Sequence, residues 1–106
     1  MKAIYLYQKF FYADQTYYWR EKIDYLPPKE AVFTPMFGDR GYYCIERIVI
    51  NHGVKAAFVY LEPLRITMPY NPEEIERDYP MEVMSAEEVE YHWDVDTNEQ
   101  IKGMWM

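Results

Sequence analysis

The fold is decided by residues 42–62, YYCIERIVINHGVKAAFVYLE. Its two halves, residues 42–50 and 54–62, are rich in β-branched and aromatic residues, which favour strands. Between them, Asn51-His52-Gly53 is a three-residue connection ending in glycine, which suits a hairpin whose last loop residue has a positive φ. The segment therefore predicts an antiparallel hairpin with Cys44 buried in its first strand and His52 exposed at its tip.

Upstream, residues 2–12 and 16–26 each alternate with period two around a turn at Ala13-Asp14-Gln15, which predicts a second hairpin. Pro27-Pro28 ends its second strand because proline cannot donate to a sheet ladder. Residues 31–34 predict one further short strand. Since both faces of the first strand carry apolar residues, we expect one face to pack on the main core and the other on the proline-rich tail. The alternation assigns Ile4, Leu6, Phe10 and Tyr12 to one face of the first strand, and Tyr17, Trp19, Ile23 and Tyr25 to one face of the second.

Downstream of residue 62, prolines interrupt every long element, so extended chain with one short helix is expected up to residue 80. Asn71 can cap this helix, Pro72 suits its first turn, and the following glutamates complement the helix dipole. Ser85 and Glu88 predict a second capping box. From Val89 the period-two alternation returns, which predicts a C-terminal hairpin.

These segments predict a mainly β fold, either all-β or β-rich α+β. We expect a small antiparallel meander curled into a barrel or a two-layer sandwich, with one or two short helical turns in the C-terminal third. A chain of 106 residues supplies one core of ordinary size, so residues 1–106 are expected to form one domain. Within it, residues 1–62 form the meander, residues 63–88 a connection rich in proline and glutamate, and residues 89–106 the last hairpin.

The composition bounds the class of protein. Half of the residues are hydrophobic and 19% are aromatic, which is enough to drive folding. The longest apolar runs fall far short of the roughly 20 residues of a membrane span, and the opening segment does not have the pattern of an export signal. We therefore expect no membrane association and a cytoplasmic location, with which the single cysteine, Cys44, agrees.

The charge is distributed unevenly along the chain. Of the net −7, residues 1–66 hold nine Lys or Arg against seven Asp or Glu, whereas residues 67–106 hold two against eleven. The negative excess lies in the last forty residues, where it would repel a phosphate backbone and attract a basic surface. Direct binding of nucleic acid by that region is disfavoured.

Catalytic chemistry is not predicted. His52 and His92 are the histidines available as bases, and neither can be placed beside a nucleophile. The outward row Glu90, His92, Asp94 and Asp96 resembles a set of metal ligands, but neighbours on one strand face stand about 7 Å apart, so a solvated face is favoured. No catalytic residue, metal or cofactor is therefore predicted.

The acidic C-terminal third surrounds methionine and aromatic side chains. Carboxylates around an apolar patch predict a non-catalytic protein-binding module, an inhibitor or adaptor that docks on a basic surface of a larger protein such as a nucleic-acid-processing enzyme. Phage anti-defence proteins and toxin-immunity proteins share this size and charge, which is analogy alone. The simpler reading is an acidic surface that serves solubility. The candidate contact residues are Glu73, Glu74, Glu76, Asp78, Tyr79, Met81, Met84, Glu87, Glu88 and Glu90.

Two alternatives belong to other classes. Aromatic residues flanked by cations in the first hairpin predict a small β-barrel that stacks on single-stranded nucleic acid or carbohydrate. Packing of the same rings inside the domain is the competing interpretation. A structural or assembly subunit that forms homo-oligomers is the other alternative. The candidate ligand-binding residues are Tyr7, Phe11, Tyr18, Trp19, Arg20 and Lys22.

Overall fold

The first hairpin is built as the alternation predicts. The computed structural model describes residues 3–34, 41–53 and 55–89. Strands β1 (Ala3–Tyr12) and β2 (Gln15–Ile23) pair antiparallel around a two-residue turn. The turn residues Ala13 and Asp14 have φ values of 49° and 60°, and type I′ hairpin turns need positive φ at both positions. The prediction of this hairpin is confirmed, although β2 ends three residues before residue 26.

A short strand and a longer hairpin follow. Strand β3 (Val32–Phe33) pairs antiparallel with β4 (Tyr43–Asn51), which in turn pairs antiparallel with β5 (Ala56–Leu61). The second hairpin is therefore confirmed. Strand β4 ends at Asn51, and β5 starts at Ala56, two residues later than predicted; Lys55, directly before β5, has a φ of 55°. His52 is exposed directly after β4, as expected.

The prediction that Cys44 is buried is wrong, because its side chain is exposed. Tyr43 and Ile45 on either side of it are buried in the main core. Since successive side chains of a strand point to opposite faces, Cys44 must point away from that core. A β-bulge between Ile45 and Arg47 then shifts the register, so that Ile48 packs against the main core.

The tail adds one helix and an unpredicted strand. Helix α1 (Pro72–Asp78) begins where predicted, with the Glu74 N–H donating to Asn71 Oδ1 at 2.8 Å in a capping box. Strand β6 (Glu82–Ser85) then pairs antiparallel with β2. A second helical turn over residues 86–89 follows, with the Glu88 N–H donating to Ser85 Oγ at 3.3 Å, as the second capping box predicts. The rest of the predicted C-terminal hairpin lies outside the described residues.

The strands form one sheet in the order β3-β4-β5-β1-β2-β6. The mainly β class with short helices in the C-terminal third is confirmed, but the sheet is neither a pure antiparallel meander nor a closed barrel. After β2 the chain crosses to the far side of β1, and β5 then runs parallel to β1. In the described part of the chain, β3 and β6 therefore lie at opposite edges of an open, mixed sheet.

Both faces of the sheet carry packed apolar residues, and the tail contributes to each: its proline-rich part packs on the main core and residues 84–89 pack on the opposite face. One face, the core face, carries the main core, which Leu64, Met68 and Ile75 of the tail complete. The opposite face, the tyrosine face, carries Tyr5, Tyr7, Tyr18, Phe58 and Tyr60, packed against Met84, Ala86 and Val89. Among the described residues, no helix has both the length and the apolar character needed to cross a membrane.

Candidate functional site

Two helical segments that carry carboxylates flank β6, the edge strand of the sheet. The Val83 N–H donates to Glu76 Oε2 at 3.0 Å, so α1 is joined directly to β6. This contact occupies a backbone donor of an edge strand that another chain could otherwise pair with. Glu87 and Glu88 follow in the turn that begins directly after β6. We call this surface the acidic edge; its exposed members are Glu73, Glu76, Asp78, Glu82, Glu87 and Glu88.

The acidic edge is only partly neutralised. Arg77 donates to Asp78 at 3.0 Å, and this hydrogen bond lowers the pKa of the Asp78 carboxyl. Glu82 forms an ion pair with Arg20 of β2. Lys9 lines the same shallow surface depression as Glu87, so positive charge borders the edge there. Within residues 3–34, 41–53 and 55–89, no ion pair is formed by Glu73, Glu76, Glu87 or Glu88.

The apolar residues that the sequence assigns to the same interface lie inside the domain. Met81 is buried in the main core, and Tyr79 packs against it. Met84 packs on the opposite side of the sheet, against the tyrosine face. Glu74 is half-buried and is occupied by the capping box with Asn71. Glu90 lies outside the described residues. The structure therefore places the exposed predicted carboxylates in two groups, one on α1 beside the main core and one in the turn over residues 86–89 beside the tyrosine face, and the predicted apolar anchor lies inside the domain.

The tyrosine face is organised in rows that run across the strands. The rings of Tyr7 and Tyr60 stack with their centroids 4.9 Å apart, and Tyr18 meets Tyr7 edge-on at 6.4 Å. Pairs of this geometry add to the stability that area burial provides. The strand register aligns one complete row across five strands as Arg47, Tyr60, Tyr7, Arg20 and Glu82.

Arg20 is half-buried at the centre of this face. Its guanidinium carbon lies 4.8 Å from the centroid of the Tyr5 ring, and its Nη1 donates to the Tyr7 hydroxyl at 3.3 Å. Burial raises the pKa of the Tyr7 phenol, and the hydrogen bond from Arg20 partly offsets that rise. Since Glu82 balances its charge, Arg20 is engaged within the domain.

The six candidate ligand-binding residues of the first hairpin do not share one surface. Tyr7 and Tyr18 are buried in the tyrosine face. Trp19 is buried on the core face, where its indole N–H donates to Gln8 Oε1 at 3.2 Å. The remaining three are half-buried Arg20 and exposed Phe11 and Lys22.

Sequence reasoning missed two polar residues that point into the core face. Gln8 is completely buried, and Glu21 is half-buried. Gln8 Nε2 donates to the Glu62 carbonyl oxygen at 2.8 Å. Gln8 and Glu21 line a small cavity together with Trp19. The period-two alternation indicates that both side chains point to the core face, because position 8 lies between Leu6 and Phe10 and position 21 lies between Trp19 and Ile23.

A metal centre is not found in the described part of the chain, where no three His, Cys, Asp or Glu side chains come close enough to hold an ion. The row of Glu90, His92, Asp94 and Asp96 lies outside that part. No protein-family model, curated protein or solved structure matches this chain.

Proposed function

We propose that this chain is a non-catalytic protein-binding module that docks its acidic edge on a basic surface of a larger protein. The observation that carries the proposal is that α1 and the turn over residues 86–89 present exposed carboxylates on both sides of β6, and that Glu73, Glu76, Glu87 and Glu88 form no ion pair with another described residue. A field of one sign raises the rate at which a surface of opposite sign is encountered and orients it before contact.

Complementary charge alone gives modest affinity, so an apolar contribution is also expected. Met81 and Tyr79 belong to the main core and are not available to a rigid partner. Tyr70 is 41% exposed immediately before α1 and borders the acidic edge in sequence. We assign the apolar part of the interface to Tyr70 and keep the carboxylates as the steering groups.

The mode of action that fits this surface is inhibition or adaptation of a protein whose basic groove normally holds nucleic acid, because carboxylates compete for cations that otherwise bind phosphates. Phage anti-defence and toxin-immunity proteins act in this general way and remain an analogy. The proposal includes a cytoplasmic location, which the lone cysteine, exposed as a free thiol, supports.

A matched pair of triple variants tests the proposal. Glu73→Gln/Glu87→Gln/Glu88→Gln removes three charges from the acidic edge, and Asp24→Asn/Glu30→Gln/Glu46→Gln removes three exposed charges elsewhere. Both change the net charge equally. Proteins captured from the native host on the wild-type chain should be lost with the first variant and retained with the second. Equal capture by both variants would contradict the proposal.

The partner identified in this way allows a kinetic test. Association with the wild-type chain should slow steeply as salt increases, and the acidic-edge variant should associate about tenfold more slowly at low salt with a shallower salt dependence. An association rate unchanged by the variant would mean that the carboxylates do not steer the partner.

A second candidate is binding of single-stranded nucleic acid or carbohydrate on the tyrosine face. It is favoured by the stacked, half-buried rings of Tyr5 and Phe58, whose centroids are 5.9 Å apart, in the same row as exposed Lys22. Such rings can stack on bases or sugars beside a cation. Titration with an oligothymidylate or an oligosaccharide should shift the aromatic-ring NMR signals of Tyr5 and Phe58 in the wild-type chain, and Tyr5→Ala should weaken the binding; no shift with either ligand would exclude it.

A further inference from the structure

A small cavity opens on the core face of the sheet, where β2 extends beyond its pairing with β6. Strand β6 pairs with residues 17–20 of β2, so Glu21 lies just past the paired region. The cavity has a volume of about 120 Å³. Its walls are largely apolar, with four aromatic residues, Trp19, Tyr25, Phe33 and Tyr43, and four aliphatic ones.

Glu21 is the one charged group that the described residues contribute to this lining. Burial raises the pKa of its carboxyl, which means that the carboxylate has lost part of its hydration. Within the described residues, Glu21 makes no hydrogen bond or ion pair that would compensate for this loss. A half-buried carboxylate without a partner is unfavourable for the domain alone, and a cation at this position would remove the penalty.

The other polar groups at the base of the cavity are already engaged. The Gln8 amide donates to the Glu62 carbonyl and accepts from the Trp19 indole. Gln8 therefore fixes the wall of the cavity, and the Glu21 carboxylate is left to orient a ligand.

We propose that this cavity binds an alkylammonium group. The carboxylate supplies the opposite charge, and the faces of aromatic rings attract an ammonium ion through their quadrupoles. A dry cavity of about 150 Å³ holds benzene, so a cavity of this volume admits a chain of about five heavy atoms. That is the size of the end of a lysine side chain or of a small free amine. The inference stands on the cavity and does not depend on the acidic edge.

The probe is n-butylammonium chloride, with n-butanol as the neutral match of the same chain length. Titration into the full isotope-labelled chain is followed by the NMR signals of the Trp19 indole N–H and the Gln8 side-chain amide. We expect saturable shifts with a Kd of about 1–10 mM for the cation. Butanol should bind about tenfold more weakly or not at all. No saturable shift with the cation, or equal binding of butanol, would overturn the proposal.

A third ligand separates the two sources of the alkylammonium group. Nα-acetyl-lysine methylamide carries the same group on a blocked peptide unit. If it binds as n-butylammonium does, the cavity takes a lysine side chain of another protein. If only n-butylammonium binds, the cavity is specific for a small free amine. Both results support an alkylammonium site.

Two single variants test whether the Glu21 carboxylate is the group that binds the ammonium ion. Glu21→Gln keeps the shape of the side chain and should weaken n-butylammonium at least about fivefold. Glu46→Gln removes an exposed carboxylate from β4 and should leave the Kd within about twofold. Equal affinity in Glu21→Gln and the wild-type chain would contradict the assignment. If Glu21→Gln does not fold, the comparison of cation with alcohol in the wild-type chain decides the question.

Discussion

Gln8 shows how a polar side chain is accommodated in the apolar interior. It is completely buried, and its amide satisfies the Trp19 indole N–H at one end and the Glu62 carbonyl at the other. The two hydrogen bonds link β1 to β2 and to the segment that follows β5. A buried amide whose hydrogen bonds are all formed adds specificity to the packing. If one partner is removed, the remaining buried donor or acceptor lowers the stability of the domain, because it has lost its hydration without gaining a hydrogen bond.

Replacement of Gln8 by leucine should therefore destabilise the domain although leucine is more apolar. The substitution removes the acceptor of the Trp19 indole and the donor to the Glu62 carbonyl, so a loss of about 2 kcal/mol in the free energy of unfolding is expected. Urea unfolding measures it. A variant as stable as the wild-type chain would show that these hydrogen bonds do not stabilise the core.

Glu21 provides a residue-scale prediction that depends on pH. Burial raises its folded-state pKa above the ordinary value of about 4.5, so ionisation of Glu21 opposes folding. The destabilisation begins as the pH rises through that ordinary value and is complete above the folded-state pKa. Glu21→Gln should therefore be more stable than the wild-type chain at pH 7, by less than about 1 kcal/mol because solvent screens the group, and equally stable at pH 3. Thermal unfolding at both pH values tests this prediction. If Glu21→Gln were less stable than the wild-type chain at pH 7, ionised Glu21 would stabilise the domain, which contradicts the prediction.

At the scale of elements, the β1–β2 turn carries backbone strain. Ala13 has a φ of 49°, a region that is unfavourable for a residue with a Cβ and no side-chain polar group. Asparagine and glycine are preferred at the two central positions of a type I′ turn. Ala13→Asn/Asp14→Gly should raise the free energy of unfolding by about 1 kcal/mol without changing the register of the hairpin. Chemical denaturation measures the gain, and a loss of stability would mean that the turn is of another type.

Local elements were predictable because their signals lie within a few residues. The alternation around residues 13–15, the prolines after β2 and the Asn71-Pro72 start of α1 each depend on near neighbours. Strand β6 was missed because four residues of mixed character show no period. The parallel pairing of β1 with β5 was missed because side-chain alternation states which face is buried and not which strand lies alongside.

The candidate sites were predictable to a smaller extent, because a site depends on which elements lie side by side and the sequence signals are local. Acidic side chains that are close in sequence stay close in space within α1 and within the turn after β6, so each of these two groups follows from the sequence. Met81 and Met84 lie three residues apart but pack on opposite faces of the sheet. The sequence does not reveal this difference unless residues 82–85 are recognised as a strand. Glu21 was overlooked although the alternation of Trp19 and Ile23 assigns its position to the core face.

At the scale of the whole molecule, the uneven charge of the sequence becomes an uneven surface. Residues 71–89 hold seven carboxylates and one arginine, and they wrap one edge of the sheet. Arg20 and Lys9 of the opening strands reach the border of this region, with Arg20 paired to Glu82. The central claim is that the remaining carboxylates still produce a coherent negative potential along the acidic edge.

The most direct test is the local electrostatic potential measured in solution. Paramagnetic relaxation of backbone amides by a cationic and by an anionic nitroxide of equal size reports the potential near each residue. We predict that amides of residues 72–88 are relaxed several-fold more by the cationic probe than by the anionic one, and that amides near His52 and Lys55 are relaxed to similar extents by both. Equal relaxation of residues 72–88 by the two probes would contradict the account.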